Sequence, residues 1–194
     1  MATATRKTTA AKATRKTPAK TSRASSSSSG QDAIALLRAD HKRVSDLYEQ
    51  YESTRSAAKK KTIVASICLE LSVHAQVEEE IFYPAVKAAL KDKELVPEAQ
   101  VEHASLKELI AQVKDKEPDG EMFDAKIKVM SEYTKHHVKE EQNEMFPKAK
   151  NTRLDMKELG ARIAARKEEL MANPALLDAS PETSMQPMES VSAA

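Results

Sequence analysis

The chain has 194 residues, enough for one domain with a real core plus tails. Three glycines, no tryptophan and a middle rich in Ala, Leu, Glu and Lys favour an all-helical protein and argue against a sheet. The formal charge of +1 conceals an imbalance: residues 1–30 hold seven basic side chains and no acidic one, which leaves 24 basic against 30 acidic residues in a body of net −6 that offers no charge argument for nucleic acid.

Residues 1–30 are Thr, Ala, Lys and Ser without apolar period, so they cannot offset the cost of ordering and are expected to be a disordered basic tail. A first helix starts near Asp32, a plausible N-cap, and ends near Arg55. Its face is Ile34, Leu37, His41, Val44, Tyr48 and Tyr51. A second helix runs from about Ala58 to Pro84 or a few residues beyond, with Ile63, Ile67, Leu71, His74, Glu78 and Ile81 on one side. Pro84 is expected to kink it or end its regular part. The single cysteine, Cys68, falls in the apolar run of this helix and reads as a small core residue. With no possible internal disulfide, nothing points to an oxidising compartment.

Pro97 opens a third helix, whose face is His103, Leu106, Ile110 and Val113. Glu117-Pro118-Asp119-Gly120 is a turn by composition. The fourth helix carries Phe123, Ile127, Met130, Thr134, His137, Glu141 and Met145 on one side, and Pro147 mirrors Pro84. Leu154 to Met171 is a further amphipathic stretch, and the residues after Asn173-Pro174 read as a loose tail. Four periodic helices with short connections give an all-α, up-down-up-down four-helix bundle over residues 31–150. An appended helix follows over 151–173, with tails at 1–30 and 174–194. No apolar run approaches the roughly 18–20 residues of a membrane span, and the N-terminus lacks a secretory h-region, so a cytoplasmic protein with no membrane partner is expected.

Four of the five histidines fall on an internal repeat. Asp40-His41 is matched by Glu102-His103, 62 positions on; His74, Glu78 and Pro84 are matched by His137, Glu141 and Pro147, each 63 positions on. Residues i and i+4 share a helix face, so His74 with Glu78, and His137 with Glu141, each bring an imidazole and a carboxylate to one point. All lie on the apolar stripes. Buried glutamates are costly to keep ionised unless a cation sits beside them. The six candidate ligands are therefore His41, His74, Glu78, His103, His137 and Glu141, around two cations. Mixed imidazole and carboxylate suits iron, manganese or zinc better than copper(I) or calcium. If both glutamates bridge and an oxo or hydroxo bridge joins them, about one position per ion stays open for a small ligand. His136 fails the repeat, its counterpart being Val73, and reads as a surface or outer residue; Tyr48 reads as core, and Phe82, Tyr83 and Phe146 as packing that shields the site.

These motifs resemble the hemerythrin-like HHE cation-binding domain over about residues 31–150. The resemblance implies two non-haem iron ions in a four-helix bundle that binds dioxygen, nitric oxide or peroxide. Oxygen-carrying hemerythrins have a further histidine where this chain has Lys107, and an aspartate ligand where it has Gln142, with Glu141 taking that role. The difference leans away from reversible oxygen storage and toward sensing or detoxifying a small oxidant. Two alternatives stay open: a di-iron peroxidase or reductase, and a metal-stabilised interaction domain with a protein partner. Nucleic acid enters only as a weak partner of the basic tail.

Overall fold

A computed structural model describes Met1 and residues 31–91 and 94–178. The two expected tails therefore lie largely outside the described residues. Helix α1 (Ala33–Ser53) is capped by Asp32, whose Oδ1 accepts from the Ala35 amide at 2.8 Å. Helix α2 (Ala57–Val77) is capped by the Ser56 hydroxyl. Such caps satisfy amides that the first helical turn leaves without partners, each contributing about 1 kcal/mol.

The second helix runs on past Pro84, with its regular form disturbed just before it. A π-helical segment, Glu78–Phe82, widens it, and the chain continues as α3 (Tyr83–Leu90) to Lys91, which sits in the left-handed region. Pro84 has no amide hydrogen to donate and its ring crowds the carbonyl four residues back. The Tyr83 amide reaches five residues back to the Glu78 carbonyl, so the wide turn absorbs the proline without breaking the rod. The same event recurs after α4 (Leu95–Val113) and α5 (Glu121–Glu140): Glu141–Met145 is π-helical, Phe146 donates to the Glu141 carbonyl, and α6 (Phe146–Lys150) carries Pro147. The third helix begins two residues before Pro97, within the usual fraying of helix starts.

Helices α1, α2, α4 and α5 run up, down, up, down, each touching the next and α5 closing against α1. Their buried residues form two apolar clusters. One, at the end carrying the π segments, contains Leu37, Val77, Phe82, Tyr83, Val86 and Phe146. The other, toward the opposite end, contains Val44, Tyr48, Ile67, Cys68, Met130 and Phe123. Between them, at one level, each bundle helix turns a histidine inward. Cys68 is buried, as its apolar run implies.

The appended helix α7 (Met156–Ala172) lies on α1, α2 and the first π segment and adds Leu159, Ile163 and Leu170 to the first cluster. Its approach depends on Gly160, where a Cβ would collide with the Gln31 carbonyl oxygen. Pro174 does not start a structureless stretch: α8 (Ala175–Asp178) adds one more turn, because Leu176 and Leu177 find the same apolar cluster. No described helix is long and apolar enough to cross a membrane.

Candidate metal centre

All six sequence-predicted ligands converge at the middle of the bundle. His41 comes from α1, His74 from α2, His103 from α4 and His137 from α5. Glu78 and Glu141 are the first residues of the two π segments. All six are buried, with Glu78 at 0% and Glu141 at 1% exposure, so neither carboxylate has water to hydrate its charge.

The inward-facing nitrogens are crowded in two pairs. His41 Nε2 lies 3.0 Å from His74 Nε2, and His103 Nε2 lies 3.1 Å from His137 Nε2. A separation of about 3 Å is what two donors bound at roughly 2.1 Å to one ion would show. Glu78 Oε2 lies 3.2 Å from His74 Nε2 and 3.5 Å from His103 Nε2, so it reaches both pairs. Glu141 Oε2 does the same from the other side, 3.2 Å from His41 Nε2 and 3.7 Å from His137 Nε2. The ligand atoms resolve into two overlapping groups, His41, His74, Glu78 and Glu141 on one side and Glu78, His103 and His137 on the other. Glu78 Oε1 and Glu141 Oε2, both fully buried, accept no hydrogen bond. An orphaned buried carboxylate oxygen costs several kcal/mol, and a cation between the carboxylates removes that cost. The donor set fits such an ion.

Electrostatics agree. Burial and the neighbouring Glu141 carboxylate push Glu78 well above the usual carboxylate range. Glu141 is equally buried, but the His41 imidazole 3.2 Å away and the other surrounding imidazoles hold it down. Burial brings His41 down to about 4 and lowers His74 and His103, keeping these imidazoles neutral with lone pairs available. Burial would lower His137 too, but the hydrogen bond to Glu102 and the Glu141 charge outweigh it and raise that imidazole.

Each imidazole also has a polar neighbour at its outer nitrogen, and these follow the repeat. The residue before each α1 or α4 histidine faces the histidine of the next helix. Thus Asp40 Oδ2 is 3.8 Å from His74 Nδ1, and Glu102 Oε2 is 2.7 Å from His137 Nδ1. The residue after each buried glutamate faces a histidine of the other half. Glu79 Oε1 is 3.0 Å from His103 Nδ1, and the Gln142 amide is 3.1 Å from His41 Nδ1. Glu79 and Glu102, accepting from Nδ1–H, fix the ring orientation and the tautomer that leaves Nε2 of His103 and His137 free to bind, whereas the Gln142 amide nitrogen donates to His41 Nδ1 and Asp40 lies beyond hydrogen-bond distance of His74. Of these, Asp40 and Glu102 stand on the repeat as the residues before His41 and His103, though each faces the histidine of the next helix. Sequence reasoning missed Glu79 and Gln142, although the 63-position spacing relates them and could have exposed them.

Tyr83 was read as packing alone, and the structure corrects that reading. Its ring packs, but its hydroxyl donates toward Glu78 Oε2 at 3.1 Å and Glu141 Oε1 at 3.0 Å, and lies 3.3 Å from His103 Nε2. Phe146, its counterpart in the repeat, has no hydroxyl and stacks on His41. Tyr48 is core, as expected, with its hydroxyl 3.2 Å from Thr134 Oγ1. His136 is turned outward, on the surface.

On the face of the histidines away from Tyr83 lies a cavity of about 20 Å³. All four histidines border it, and its other walls include Val44, Leu71, Leu106 and Ile110. That is room for about one water-sized group.

The fold and the donor set define a cation-binding helical bundle. The hemerythrin HHE cation binding domain matches residues 32–149, and the chain belongs to that family. A solved hemerythrin HHE cation-binding domain-containing protein from Mycobacterium kansasii shares the fold, with a TM-score of 0.64 at 21% identity over 77% of this chain and 93% of that one. A protein of Nostoc sp. named DNA nickase is 25% identical over 116 residues, 60% of this chain. The match spans only 33% of that relative's length.

Proposed function

We propose that the chain holds two non-haem iron ions and uses them to bind, sense or detoxify a small oxidant such as dioxygen, nitric oxide or peroxide. His41 and His74 would hold one ion, His103 and His137 the other, with Glu78 and Glu141 shared between them. Bound iron would supply reversible electron exchange with the oxidant. The chain's own residues do the rest. The outer carboxylates and Gln142 orient the imidazoles, and Tyr83 holds the two shared carboxylates from one side. Phe82 and Phe146, both wholly buried, keep water from that side.

The observation that carries this reading is the cavity. It abuts all four histidines, its other walls combine aliphatic side chains with Asp40, Lys107 and Thr134, and it has room for one water-sized guest. Larger organic substrates do not fit it. A small oxidant does, and the aliphatic part of the wall favours dioxygen or nitric oxide while Asp40, Lys107 and Thr134 can meet a polar one such as peroxide.

Elemental analysis of protein purified without oxygen and loaded with ferrous iron tests the reading. Two irons per chain, followed by spectral change on stoichiometric addition of nitric oxide or peroxide, is the expected result. Repeated turnover of peroxide with an added reductant would mark an enzyme and not a sensor. Absence of tightly bound iron would leave a helical interaction domain as the better account.

A second reading, action on DNA, is favoured by one observation: the Nostoc relative is named a DNA nickase. Because two thirds of that relative lie outside the match, its activity need not reside in the shared part. Incubation of iron-loaded protein with supercoiled plasmid, followed by the appearance of the relaxed circle, decides whether this chain shares it.

A further inference from the structure

Three carboxylates face the outer nitrogens of the buried imidazoles, and two of them have an ammonium partner. Asp40 is met by Lys167 from α7. Glu79 is met by Lys107 Nζ at 2.7 and 2.8 Å. The third, Glu102, has no lysine or arginine against it among the described residues. One of its oxygens binds His137 Nδ1 at 2.7 Å. The other lies 3.5 Å from Nε2 of His136, and that nitrogen lies 3.2 Å from Glu140 Oε1. The ligand atoms of Glu102, His136 and Glu140 all fall within 4.8 Å of one another.

His136 is the histidine that the repeat leaves over. Its counterpart, Val73, is wholly buried, whereas the His136 side chain is 63% exposed and that of Glu102 only 20%. The i to i+4 spacing of His136 and Glu140 explains why those two meet. It does not explain why Glu102, a mostly covered carboxylate from the neighbouring helix whose one oxygen is already taken by His137, turns its second oxygen toward them. An imidazole and two carboxylates form the mixed donor set that zinc, manganese and ferrous iron favour.

We infer that Glu102, His136 and Glu140 form an outer divalent-cation site at the surface, one carboxylate removed from His137. Glu102 then belongs to two shells, orienting a buried imidazole with one oxygen and receiving a cation with the other. The buried donors are at most 6% exposed, so an ion that reaches them crosses the layer of outer groups, of which Glu102 is the one joined to a surface imidazole. The outer site then takes the role of a point of entry toward His137. This transit role rests on the metal reading of the buried centre; the outer site itself does not.

The test uses the full chain, saturated without oxygen with ferrous iron and then titrated calorimetrically with Zn²⁺ while retained iron is measured. The expected result is one further Zn²⁺ equivalent, bound about tenfold or more weakly in His136→Ala and in Glu140→Gln, with helical content and retained iron unchanged. Absence of that equivalent in the native chain, or its persistence at full affinity in His136→Ala, would overturn the site. Ferrous uptake by the metal-free protein should be slower in His136→Ala but reach the same final content; equal rates would overturn the transit role. In His74→Ala the buried iron is expected to fall while the outer Zn²⁺ equivalent remains, so failure of the buried centre and failure of the outer site read apart.

Discussion

The α1–α2 half and the α4–α5 half present the same inner donors in different surroundings. His41 and His74 face one another much as His103 and His137 do, and each half gives one buried glutamate at the start of a π segment. Outside that layer the copies part. His103 has the carboxylate of Glu79 where His41 has the amide of Gln142. Tyr83 puts a hydroxyl on both glutamates where Phe146 offers a ring to His41. Asp40 is neutralised by a lysine from α7, whereas Glu102 faces an exposed histidine. The inner layer is fixed by what an ion requires. The outer layer, free of that demand, is where two like positions become unlike.

Breaking the inner layer has the largest expected effect. His74→Ala and His137→Ala should each abolish binding of at least one ion, read by elemental analysis, and lower the melting temperature of the loaded protein. The shared carboxylates lose a counter-charge in either case. Because Glu78 and Glu141 each touch both pairs, Glu141→Ala should deplete both positions, not one. A Glu141→Ala protein with full iron content would refute the sharing.

Next in size is the outer layer. Glu79→Gln should weaken iron binding at the His103 pair about 10–100-fold, the usual cost of losing a partner at an imidazole's outer nitrogen. Gln142→Glu makes the halves alike and should tighten the His41 pair. The difference between the two steps of a ferrous titration should narrow in both variants, with overall affinity falling in the first and rising in the second. An unchanged difference in both would mean that the outer groups do not distinguish the positions. Tyr83→Phe carries the Phe146 ring type into the first half. In the metal-free protein it strips a donor from two buried carboxylates and should cost about 1.5–3 kcal/mol of stability, read by urea unfolding.

Sequence periodicity made the bundle and the inner donors legible, because both answer to spacing. Histidines on apolar stripes 62 and 63 positions apart have few other uses. Three things were not legible. The π segments depend on how a helix resolves the clash at Pro84 and Pro147, and a proline in sequence predicts a disturbance without its form. The hydroxyl of Tyr83 is hidden because the aromatic-proline step reads as packing whether the ring is Tyr or Phe. The contact of Lys167 with Asp40 spans 127 positions and depends on the docking of α7, which Gly160 permits and no periodicity announces.

The smallest effect expected is a pH dependence in the metal-free protein, and it too divides the halves. Burial lowers His41 to about 4 and lowers His74 and His103, from an unfolded value of about 6.5. As pH falls below that value the unfolded chain takes up these protons first. Their contribution is therefore intact above about 6.5 and is lost as pH falls toward the folded values. His137 is raised, mainly against burial by Glu102, so its contribution has the opposite sign: present in acid and lost as pH rises through its folded value. His41, His74 and His103 thus favour a melting temperature of metal-free protein that falls from about pH 7 to about pH 5, opposed by His137 and by Glu78, whose raised carboxyl stabilises in acid. Glu102→Gln removes the group that supports charge on His137, takes away its opposing contribution and should steepen that fall. A slope unchanged by Glu102→Gln would show that His137 titrates no differently from its three partners, and the electrostatic difference between the halves would reduce to Glu79 and Gln142.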